Sequence, residues 1–472
     1  MSDTAEKRIC VCIVLEGSYP YITGGVSAWV HDLIKNLPEV DFKLFTISPE
    51  ANQPLRYELP PNVIESRDIL IGEPAGTVFK SPRKGVRLMK EIFRFHQVMG
   101  ENKDPDVKKM ISMMPEKRFL YHLAVKSKVG WNMITNGNRK NNPLYPFSDY
   151  YWAWKSSHDM LFSVLGAEAP EADIYHAVST GFAGLATLAA RLRHKKPFLL
   201  TEHGLYHKER EMEIRKTSIV RGYQRDMWTK IYNKISRICY SHADHITALF
   251  EENRQKQLEL GAPADKTEVI PNGIDVERFT IDREPREGFH VGLVGRVVPI
   301  KDIKTFISTC KIVADKVPEA RFYCIGPTDE DEGYYEDCKL LVENLKLQDV
   351  FEFTGRQDVR DYYKFLDVLL LTSVREAQPL VFLEGYCAGV PAVSTIVGNV
   401  PELLNFDERF LAPSKDASKL ADGIMTLYNN PAEVEKLRVK NYQKVLNFYD
   451  KKDLHKRYRV MYRELAELEI ED

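Results

Sequence analysis

Two glutamates lie on either side of a predicted helix start, where their carboxylates can accept hydrogen bonds from the hydroxyl groups of a ligand. They are Glu376 and Glu384, with seven residues between them. The run 367–373 before them is apolar and indicates a buried parallel strand, and a helix is predicted to begin near Leu380. Ligands of open α/β sheets bind beyond the carboxyl strand ends, and helix N-termini favour anions. This segment therefore suits a ligand with hydroxyl groups on both sides of a phosphate, such as a nucleotide sugar.

Two cations follow a second predicted strand, 290–295. Arg296 and Lys301 come after Gly295 and stand five positions apart. A guanidinium and an ammonium group on one loop can contact the same diphosphate, and they would stabilise the negative charge that grows on a leaving phosphate. The alternative is a basic loop that only faces solvent. The glutamate segment in the same chain favours the functional interpretation.

Each glutamate has its own predicted role. Glu384 is expected to accept hydrogen bonds from ribose hydroxyls, and Glu376 from a hydroxyl of the transferred sugar. Either carboxylate could instead only stabilise a helix dipole. The acidic run 329–332 is a candidate site for a divalent cation, but it precedes a predicted helix. Because Arg296 and Lys301 already supply positive charge, we expect no metal.

In the first half of the chain, His203 and the pair Gly24 and Gly25 are candidate site residues. His203 ends the predicted strand 197–203 and could accept a hydrogen bond from the donor sugar or stabilise positive charge near the reacting carbon. A structural histidine is the alternative. His207, one helical turn later, is expected on the surface. The two glycines would let the backbone approach a ligand closely, or they form only a tight turn.

A cluster of aromatic residues could stack on sugars or belong to the core. It consists of Tyr150, Tyr151, Trp152 and Trp154. No Gly-x-Gly-x-x-Gly motif occurs, which argues against a dinucleotide cofactor.

Length, charge and cysteine content limit the class of protein. A chain of 472 residues exceeds what one core usually serves, so two domains are expected. The net charge of -2 argues against a nucleic-acid binder. Seven scattered cysteines are typical of reduced thiols in a cytosolic protein. We expect a cytoplasmic protein, because no signal peptide opens the chain and no apolar run is long enough to span a membrane.

Strands alternate with helices in two series, which predicts two parallel sheets covered on both faces. The fold class is α/β, with two Rossmann-like, doubly wound domains that face a cleft. The first domain is predicted at 1–280, with a helical insertion at about 48–157, and is completed by a C-terminal helix at about 452–472. The second is predicted at 281–451 and begins at a charged linker, 282–288.

Taken in chain order, four segments resemble the retaining glycosyltransferases of family 4, which have the GT-B fold. They are the Gly-Gly loop, Pro-Asn-Gly-Ile-Asp at 271–275, Gly-Arg-x-x-x-x-Lys at 295–301 and the glutamate segment. The resemblance covers nearly the whole chain outside about 48–157. It implies a UDP-sugar donor as co-substrate, with no cofactor and no metal. It also implies that the leaving phosphate oxygen helps to deprotonate the incoming hydroxyl, which attacks from the same face.

The resemblance assigns roles to single residues. Arg296 and Lys301 would bind the donor diphosphate, Glu376 the sugar and Glu384 the ribose. Together with the residue patterns described above, the resemblance assigns Glu376, Arg296, Lys301 and His203 to catalysis. Those assigned to substrate binding are Glu384, Gly24, Gly25, Gly295, Arg356, Gln378, Leu380, Val381 and Asn272.

The chain departs from the family at one point. Many members have Gly-Phe-Gly after the first glutamate, where this chain has Ala377, Gln378 and Pro379. Pro379 removes an N–H donor, so contacts to the sugar hydroxyls must differ. Glucose, N-acetylglucosamine and N-acetylgalactosamine remain open as the transferred sugar.

The opening segment 15–30 also resembles the cytoplasmic glycosyltransferases of Pel exopolysaccharide synthesis. That resemblance implies a polysaccharide acceptor and a membrane-embedded Pel synthesis and export complex as partner, with no nucleic acid. The protein would act in the cytoplasm, or at the inner face of the cell membrane through its partners. The alternatives are a nucleotide-sugar epimerase or phosphorylase of the same fold, and a non-catalytic nucleotide-binding scaffold.

Overall fold

The computed structural model describes residues 8–71, 87, 90–91, 94, 107–113, 128–141, 146–217 and 222–470. The chain forms two compact units, each with its own parallel sheet and its own hydrophobic core. The first unit extends to Ile270 and includes the chain again from His455, and the second extends from Pro271 to Leu454. The predicted α/β class with two parallel sheets is confirmed.

The first unit is built on a seven-stranded sheet. Its strands are β1 (Cys10–Glu16), β2 (Asp41–Ser48), β3 (Val63–Leu70), β4 (Ile174–Ala177), β5 (Phe198–Glu202), β6 (His245–Ala248) and β7 (Thr267–Val269). They pair in parallel in the order β3-β2-β1-β4-β5-β6-β7. The described helices are α1 (Gly25–Lys35), α2 (Val107–Met113), α3 (Lys128–Asn141), α4 (Phe147–Leu165), α5 (Gly181–His194), α6 (Tyr206–Lys216), α7 (Tyr223–His242) and α8 (Glu251–Glu259).

The second unit is built on a six-stranded sheet. Its strands are β8 (Phe289–Val294), β9 (Ala320–Ile325), β10 (Phe351–Gly355), β11 (Val368–Leu371), β12 (Ala392–Thr395) and β13 (Leu411–Ala412). They pair in parallel in the order β10-β9-β8-β11-β12-β13. The helices are α9 (Val276–Phe279), α10 (Ile303–Ala314), α11 (Glu332–Asn344), α12 (Val359–Tyr363), α13 (Leu380–Cys387), α14 (Val400–Leu403), α15 (Ala417–Tyr428) and α16 (Pro431–Phe448), and α17 (Lys451–Ala466) follows.

The central strands are apolar because helices cover both faces of each sheet. All six residues of β8 and all four of β11 are buried. Helix α10 supplies one covering face, since Ile303, Phe306 and Cys310 recur at helical spacing and are buried.

In both sheets the order of strands reverses at one point. In the first unit this point lies between β1 and β4, and in the second between β8 and β11. Ligands of doubly wound sheets bind outside the carboxyl strand ends at this position. A ligand of the second unit is therefore expected to bind at the loops that follow β8 and β11.

The predicted helical insertion at 48–157 is wrong in its first part. Residues Val63–Leu70 form the strand β3, which pairs with β2 at the edge of the sheet. This strand carries polar residues at 65–68, so the sequence has no apolar run to reveal it. Strand β3 is held in the sheet by its backbone hydrogen bonds to β2 and not by burial of apolar side chains. Parts of 72–127 and 142–145 lie outside the described residues.

The turn after the first unit belongs to the second unit. Ile274 forms a parallel bridge with Asp450, and the Gln378 side chain bonds to both backbone groups of Asn272. These contacts explain why the boundary between the two units falls after residue 270, whereas the sequence predicted that the first domain ends at residue 280. At the other end of the chain, Tyr462 of α17 is buried in the first unit, where it bonds to His176.

The seven cysteines all lie in the described part of the chain, and none of them forms a disulfide there. Burial raises the pKa of the Cys12 and Cys239 thiols, so these groups stay protonated and pack as small apolar side chains. In the part of the chain that the structure describes, no helix is long and apolar enough to cross a bilayer.

Candidate functional site

An ion pair joins the two loops at the switch point of the second sheet. The Lys301 ammonium, after β8, bonds to Oε1 of Glu376, after β11. Ser373 Oγ donates to the same oxygen over 2.9 Å. The side chains of Lys301 and Glu376 are 18% and 17% exposed, so both still reach solvent. The structure thus brings together two residues that the sequence assigned to catalysis.

Backbone contacts fix these two loops against each other. The Thr372 hydroxyl donates to the Lys301 carbonyl over 2.8 Å, and the Val374 N–H donates to the Ile300 carbonyl over 2.9 Å. From the neighbouring strand β12, the Thr395 hydroxyl donates to the Ser373 carbonyl over 2.7 Å. The ion pair is therefore held by the fold and does not depend on two flexible side chains alone.

Arg296 also lies at this edge of the sheet, but its partner differs. Its Nη1 donates to both carboxylate oxygens of Glu330, over 2.6 and 2.7 Å, and both side chains are about half exposed. An exposed pair of this kind contributes roughly 0–1 kcal/mol, so an anionic ligand can replace Glu330 at little cost. Within the described ranges, no three His, Cys, Asp or Glu side chains are grouped so that they could hold a metal ion.

Close backbone approach shapes the loop after β8. Gly326, after β9, has φ +150°, and a Cβ there would lie 2.1 Å from the Gly295 carbonyl oxygen. A side chain at 326 would therefore push the loop that carries Arg296 and Lys301 out of place. Sequence reasoning did not identify Gly326, because its importance arises only from this tertiary contact.

Helix α13 begins four residues after Glu376 and presents its N-terminus at the same edge. Its N-cap is Pro379, which gives no side-chain cap, and the first helical residues are Leu380 and Val381. The first N–H groups of a helix have no intrahelical acceptor and favour an anion. Leu380 and Val381 thus lie where the sequence placed backbone contacts to a ligand.

Glu384 lies one turn further along α13. The Tyr363 hydroxyl of α12 donates to its Oε2 over 3.0 Å. Burial raises the pKa of the Glu384 carboxyl above its ordinary value, and the hydrogen bond from Tyr363 and the charge of Arg278 partly oppose that shift. The other oxygen, Oε1, is an acceptor of the kind that a ribose hydroxyl needs.

Gln378 and Asn272 bind each other. The Asn272 N–H donates to Gln378 Oε1 over 2.9 Å, and Gln378 Nε2 donates to the Asn272 carbonyl over 2.9 Å. Both amide atoms of Gln378 are thereby committed to the chain's own backbone. The side-chain oxygen of Asn272 is buried and has no hydrogen-bond partner among the described residues.

Asn399 is a candidate that sequence reasoning missed. Its side chain is 3% exposed, and neither amide atom has a partner in the described chain. Its N–H donates over 3.0 Å to the carbonyl of Ala377, the residue after Glu376. Buried polar groups are nearly always hydrogen-bonded, so an unsatisfied amide beside Glu376 requires a water molecule or a ligand. No motif in the sequence marks this residue.

Arg356 is exposed at the end of β10. Its strand lies two positions from β8 in the sheet, and Gly326 N–H donates to the Gly355 carbonyl over 3.0 Å. Gly355 has φ +69°, which favours glycine at this turn. The ends of β8, β9 and β10 are therefore linked, and Arg356 lies at the same sheet edge as Gly295.

In the first unit, His203 follows β5 and packs on Trp29. The two rings lie 4.6 Å apart, edge to face, and His203 Nε2 is buried with no partner in the described part of the chain. Burial lowers the pKa of His203 to about 4, so the ring is neutral near pH 7. His203 can therefore exchange hydrogen bonds with a substrate but does not supply a positive charge.

The expectation that His207 lies on the surface is wrong. Its side chain is buried, and burial lowers its pKa to about 4. The reason is that the chain turns inward after β5, so Leu205 and Tyr206 are buried with it.

Gly24 and Gly25 lie at the start of α1 and are exposed. A Cβ at either position would have no atom within 4 Å. The backbone there adopts φ 171° at Gly24, which any residue can adopt, so strain does not require glycine. Open space around the backbone fits the predicted close approach of a ligand.

Two carboxylates at the carboxyl edge of the first sheet were also missed, one partly buried and one fully buried. Glu16, at the end of β1, accepts the Phe182 N–H over 3.1 Å and the Tyr206 hydroxyl over 2.8 Å. Glu202, at the end of β5, accepts four hydrogen bonds, and burial raises the pKa of both carboxyls. The Glu16 carboxylate thus occupies the N-terminus of α5, the position where an anion would bind at this switch point.

Comparison with known families agrees with this architecture. Residues 9–265 match the family described as a domain of unknown function, DUF3492. The chain belongs to the DUF3492 family. Residues 288–430, which contain the Lys301 and Glu376 pair, match the family described as glycosyl transferases group 1.

Relatives and solved structures extend this result. The amylovoran biosynthesis glycosyltransferase AmsK of Erwinia amylovora is 24% identical over 307 residues, which are 58% of this chain and 71% of AmsK. A putative colanic acid biosynthesis glycosyltransferase, WcaL of Escherichia coli, is 28% identical over 34% of this chain and 42% of its own length. The match to WcaL therefore spans less than half of that protein.

The solved structures show the fold. Sucrose-phosphate synthase from Thermosynechococcus elongatus has a TM-score of 0.59 at 17% identity and covers 97% of this chain and 99% of its own. Anabaena HepE, solved with UDP and glucose, has a TM-score of 0.58 at 14% identity and covers 98% and 100%. Together with the family matches, they identify this DUF3492 protein as a glycosyltransferase of GT-B fold.

Proposed function

We propose that this chain is a retaining glycosyltransferase that moves a hexose or N-acetylhexosamine from a UDP-sugar to a growing exopolysaccharide, without a metal ion. The observation that carries the proposal is the Lys301 and Glu376 pair at the switch point of the second sheet. A cation and an acceptor held side by side match a ligand in which a phosphate adjoins a sugar hydroxyl.

Lys301 and Arg296 exchange their carboxylate partners for phosphate oxygens when the sugar donor binds. When the diphosphate binds, the Lys301 ammonium turns to a phosphate oxygen and Glu376 is released to accept a hydrogen bond from a sugar hydroxyl. Arg296 gives up its exposed pair with Glu330 in the same way. Glu384 accepts from the ribose, and the N-terminus of α13 adds backbone donors.

The chemical step breaks the bond between the sugar's anomeric carbon and the β-phosphate oxygen. The acceptor hydroxyl forms its new bond on the same face, and its proton passes to the leaving phosphate oxygen. Lys301 and Arg296 stabilise the negative charge that develops there, which commonly contributes about 10²- to 10³-fold per fixed donor. A neutral His203 serves as a hydrogen-bonding group, since burial keeps its pKa low.

Three observations support the choice of donor and acceptor. HepE was solved with UDP and glucose, and an Escherichia coli relative, 26% identical over 272 residues, is named as a galactosyltransferase that uses UDP-Gal. AmsK and WcaL are named for exopolysaccharides, amylovoran and colanic acid. We propose a Pel-like polymer, because the opening segment 15–30 resembles PelF. The place of action would be the cytoplasm, at the membrane face of a Pel synthesis complex.

The test is a screen of nucleotide sugars with the purified chain. We expect calorimetric binding of one UDP-sugar, and transfer to an oligosaccharide acceptor with retained configuration in excess chelator. Glu376→Ala should abolish transfer, and Glu408→Ala, at an exposed position of the same unit, should not.

Other outcomes point to other functions. UDP release that needs no acceptor would indicate an epimerase, and transfer that needs added manganese would contradict metal independence. Unchanged polymer output in cells with Glu376→Ala would indicate a binding scaffold. Binding confined to guanosine or adenosine donors would count against the resemblance to PelF.

A further inference from the structure

Four aromatic side chains form a connected patch on the first unit. Trp131 on α3 and Phe147 and Trp152 on α4 are 47%, 36% and 60% exposed. The rings of Trp131 and Phe147 lie 5.6 Å apart, and Tyr151 lies 6.3 Å from each and 5.4 Å from Trp152. We call these four residues the aromatic patch. Large apolar side chains that adjoin one another on a surface indicate a contact with another molecule.

The aromatic patch is not a poorly covered part of the core. On α4, Tyr150, Trp154 and Phe162 are buried and belong to the hydrophobic core of the first unit. Phe147 and Trp152 are additional aromatic residues beyond this core stripe, and Tyr151, which packs against the edge of the core, connects them to it. The helix therefore carries more large apolar surface than its own unit buries, and the surplus includes a tryptophan that is more than half exposed.

Exposed basic residues lie on the two helices that precede α4 in the chain. On α3, Lys128 precedes Trp131 by one turn and Arg139 follows two turns later, and both are exposed. Neither α2 nor α3 contains an acidic residue, and the basic residues Lys108 and Lys109 of α2 are exposed, Lys109 in an ion pair with Glu91. Both helices pack on the same hydrophobic core as α4. A positively charged surface with interspersed aromatic rings is complementary to an anionic one.

The sequence around these helices has the same charge bias. Residues 71–146, from the end of β3 to the start of α4, contain 15 Lys and Arg but six Asp and Glu, a net charge of +9. The whole chain has a net charge of -2. Positive charge is therefore concentrated in the stretch that contains α2 and α3.

We propose that the aromatic patch and the neighbouring basic residues bind the chain directly to the surface of a bilayer that contains anionic lipids. Trp, Tyr and Phe rings prefer the headgroup level of a membrane, where one edge is apolar and the other is wet. Lys128 and Arg139, exposed on the same helix as Trp131, contact lipid phosphates. This contact does not depend on sugar transfer, and it needs no partner protein.

The experiment is sedimentation of the full-length chain with two kinds of lipid vesicle. One contains phosphatidylcholine alone, and the other contains phosphatidylcholine with phosphatidylglycerol. We expect binding to the anionic vesicles, weakened by raised salt because exposed charges are screened. Lys128→Gln with Arg139→Gln should lower that binding about tenfold or more, since each basic residue near such a surface contributes about fivefold.

Aromatic variants test the rings separately from the charge. Trp131→Ser with Trp152→Ser should lower binding to anionic vesicles about tenfold or more, with an unchanged far-UV spectrum, because both rings are exposed. Phe406→Ser is the matched control, since Phe406 is 70% exposed but lies in the second unit, and it should bind like the natural chain. Equal binding by the tryptophan variant would overturn the proposal. So would a chain that sediments with cell membranes but with neither vesicle, which would indicate a protein partner instead.

Discussion

The Lys301 ammonium and the Glu376 carboxylate neutralise each other at the switch point of the second sheet. Their loops follow β8 and β11, strands that adjoin in the sheet although 73 residues separate the end of β8 from the start of β11 in the chain. Any anion that binds Lys301 must therefore displace a carboxylate. Without a ligand, the charges of Lys301 and Glu376 cancel. When the donor binds, its phosphate contacts Lys301 and its sugar contacts Glu376, and these two contacts replace the ion pair.

Removal of the Glu376 carboxylate should have different effects on nucleotide binding and on sugar transfer. In Glu376→Gln the Lys301 ammonium loses its competing anion, so we expect UDP alone to bind with equal or severalfold higher affinity. The rate of transfer should fall about 100-fold, because the acceptor for the sugar hydroxyl is weakened. Calorimetry with UDP and turnover with the UDP-sugar measure the two effects. A loss of UDP affinity in this variant would show that Glu376 does not compete for Lys301.

Asn399 should act on the sugar part of the donor. Its two amide atoms are buried without a partner beside the Ala377 carbonyl, so a sugar hydroxyl or acetamido group that satisfies them gains a hydrogen bond. Asn399→Ala should weaken binding of the UDP-sugar about tenfold and leave binding of UDP unchanged. Asn429→Ala, at an exposed helix end of the same unit, is the control. An equal loss for UDP and UDP-sugar would refute a role at the sugar.

Glu384 should make stability depend on pH. Burial raises the pKa of its carboxyl above the ordinary value of 4.5, so the folded chain holds this proton more tightly than the unfolded chain does. The protonated Glu384 carboxyl therefore contributes its full stabilisation below about pH 4.5. This contribution is lost as the pH rises through the pKa that the carboxyl has in the folded chain. Glu384→Gln should raise the melting temperature at pH 7 and leave it unchanged at pH 4. Glu408→Gln, at an exposed position, should change neither value.

His203 in the first unit should make stability depend on pH in the opposite sense. Burial lowers the pKa of His203 to about 4, from an ordinary value of 6.5. The unfolded chain then binds more protons between these values, so stability is lost as the pH falls from 6.5 to 4. His203→Gln should recover up to about 3 kcal/mol at pH 4 and nothing at pH 8. Urea unfolding at the two pH values measures the difference, and an equal change at both would contradict a neutral buried ring.

Gln378 should matter for folding of the second unit. Both of its amide atoms bond to the Asn272 backbone, and this holds the first turn of the unit against the loop after β11. Gln378→Ala should destabilise the unit by about 1–3 kcal/mol, because two partly buried backbone groups lose their partners. Gln357→Ala removes an exposed amide of the same unit and serves as control. A stable variant with weakened donor binding would instead support the predicted role in substrate binding.

The sequence predicted the second unit well because its central strands are apolar on both faces. The bounds of β8 and β11 were predicted to within one or two residues. The rule that ligands bind at the carboxyl strand ends then placed Lys301 and Glu376 at one edge before any contact was known. Their direct pairing could not be predicted, because the sequence does not show that β8 and β11 are neighbours in the sheet.

The features that were missed depend on tertiary contact. Strand β3 is polar and exists because β2 offers a free edge. Asn399 and Gly326 gain importance only where one loop meets another. Gln378 was assigned to substrate binding from its place beside Glu376, and the structure places its amide on Asn272. Residue type and spacing predicted which loops form the site, but not which side chains hold the loops together.

A calorimetric titration of UDP into three chains tests the central claim most directly. Lys304 lies on α10 near Lys301 and forms an exposed pair with Asp337, so Lys304→Ala controls for the loss of one positive charge. We expect Lys301→Ala to weaken UDP binding about 10- to 100-fold, through loss of a charged contact and through the Glu376 carboxylate left beside the phosphate. Lys304→Ala should bind like the natural chain. Equal affinity in all three chains would contradict a diphosphate site at Lys301.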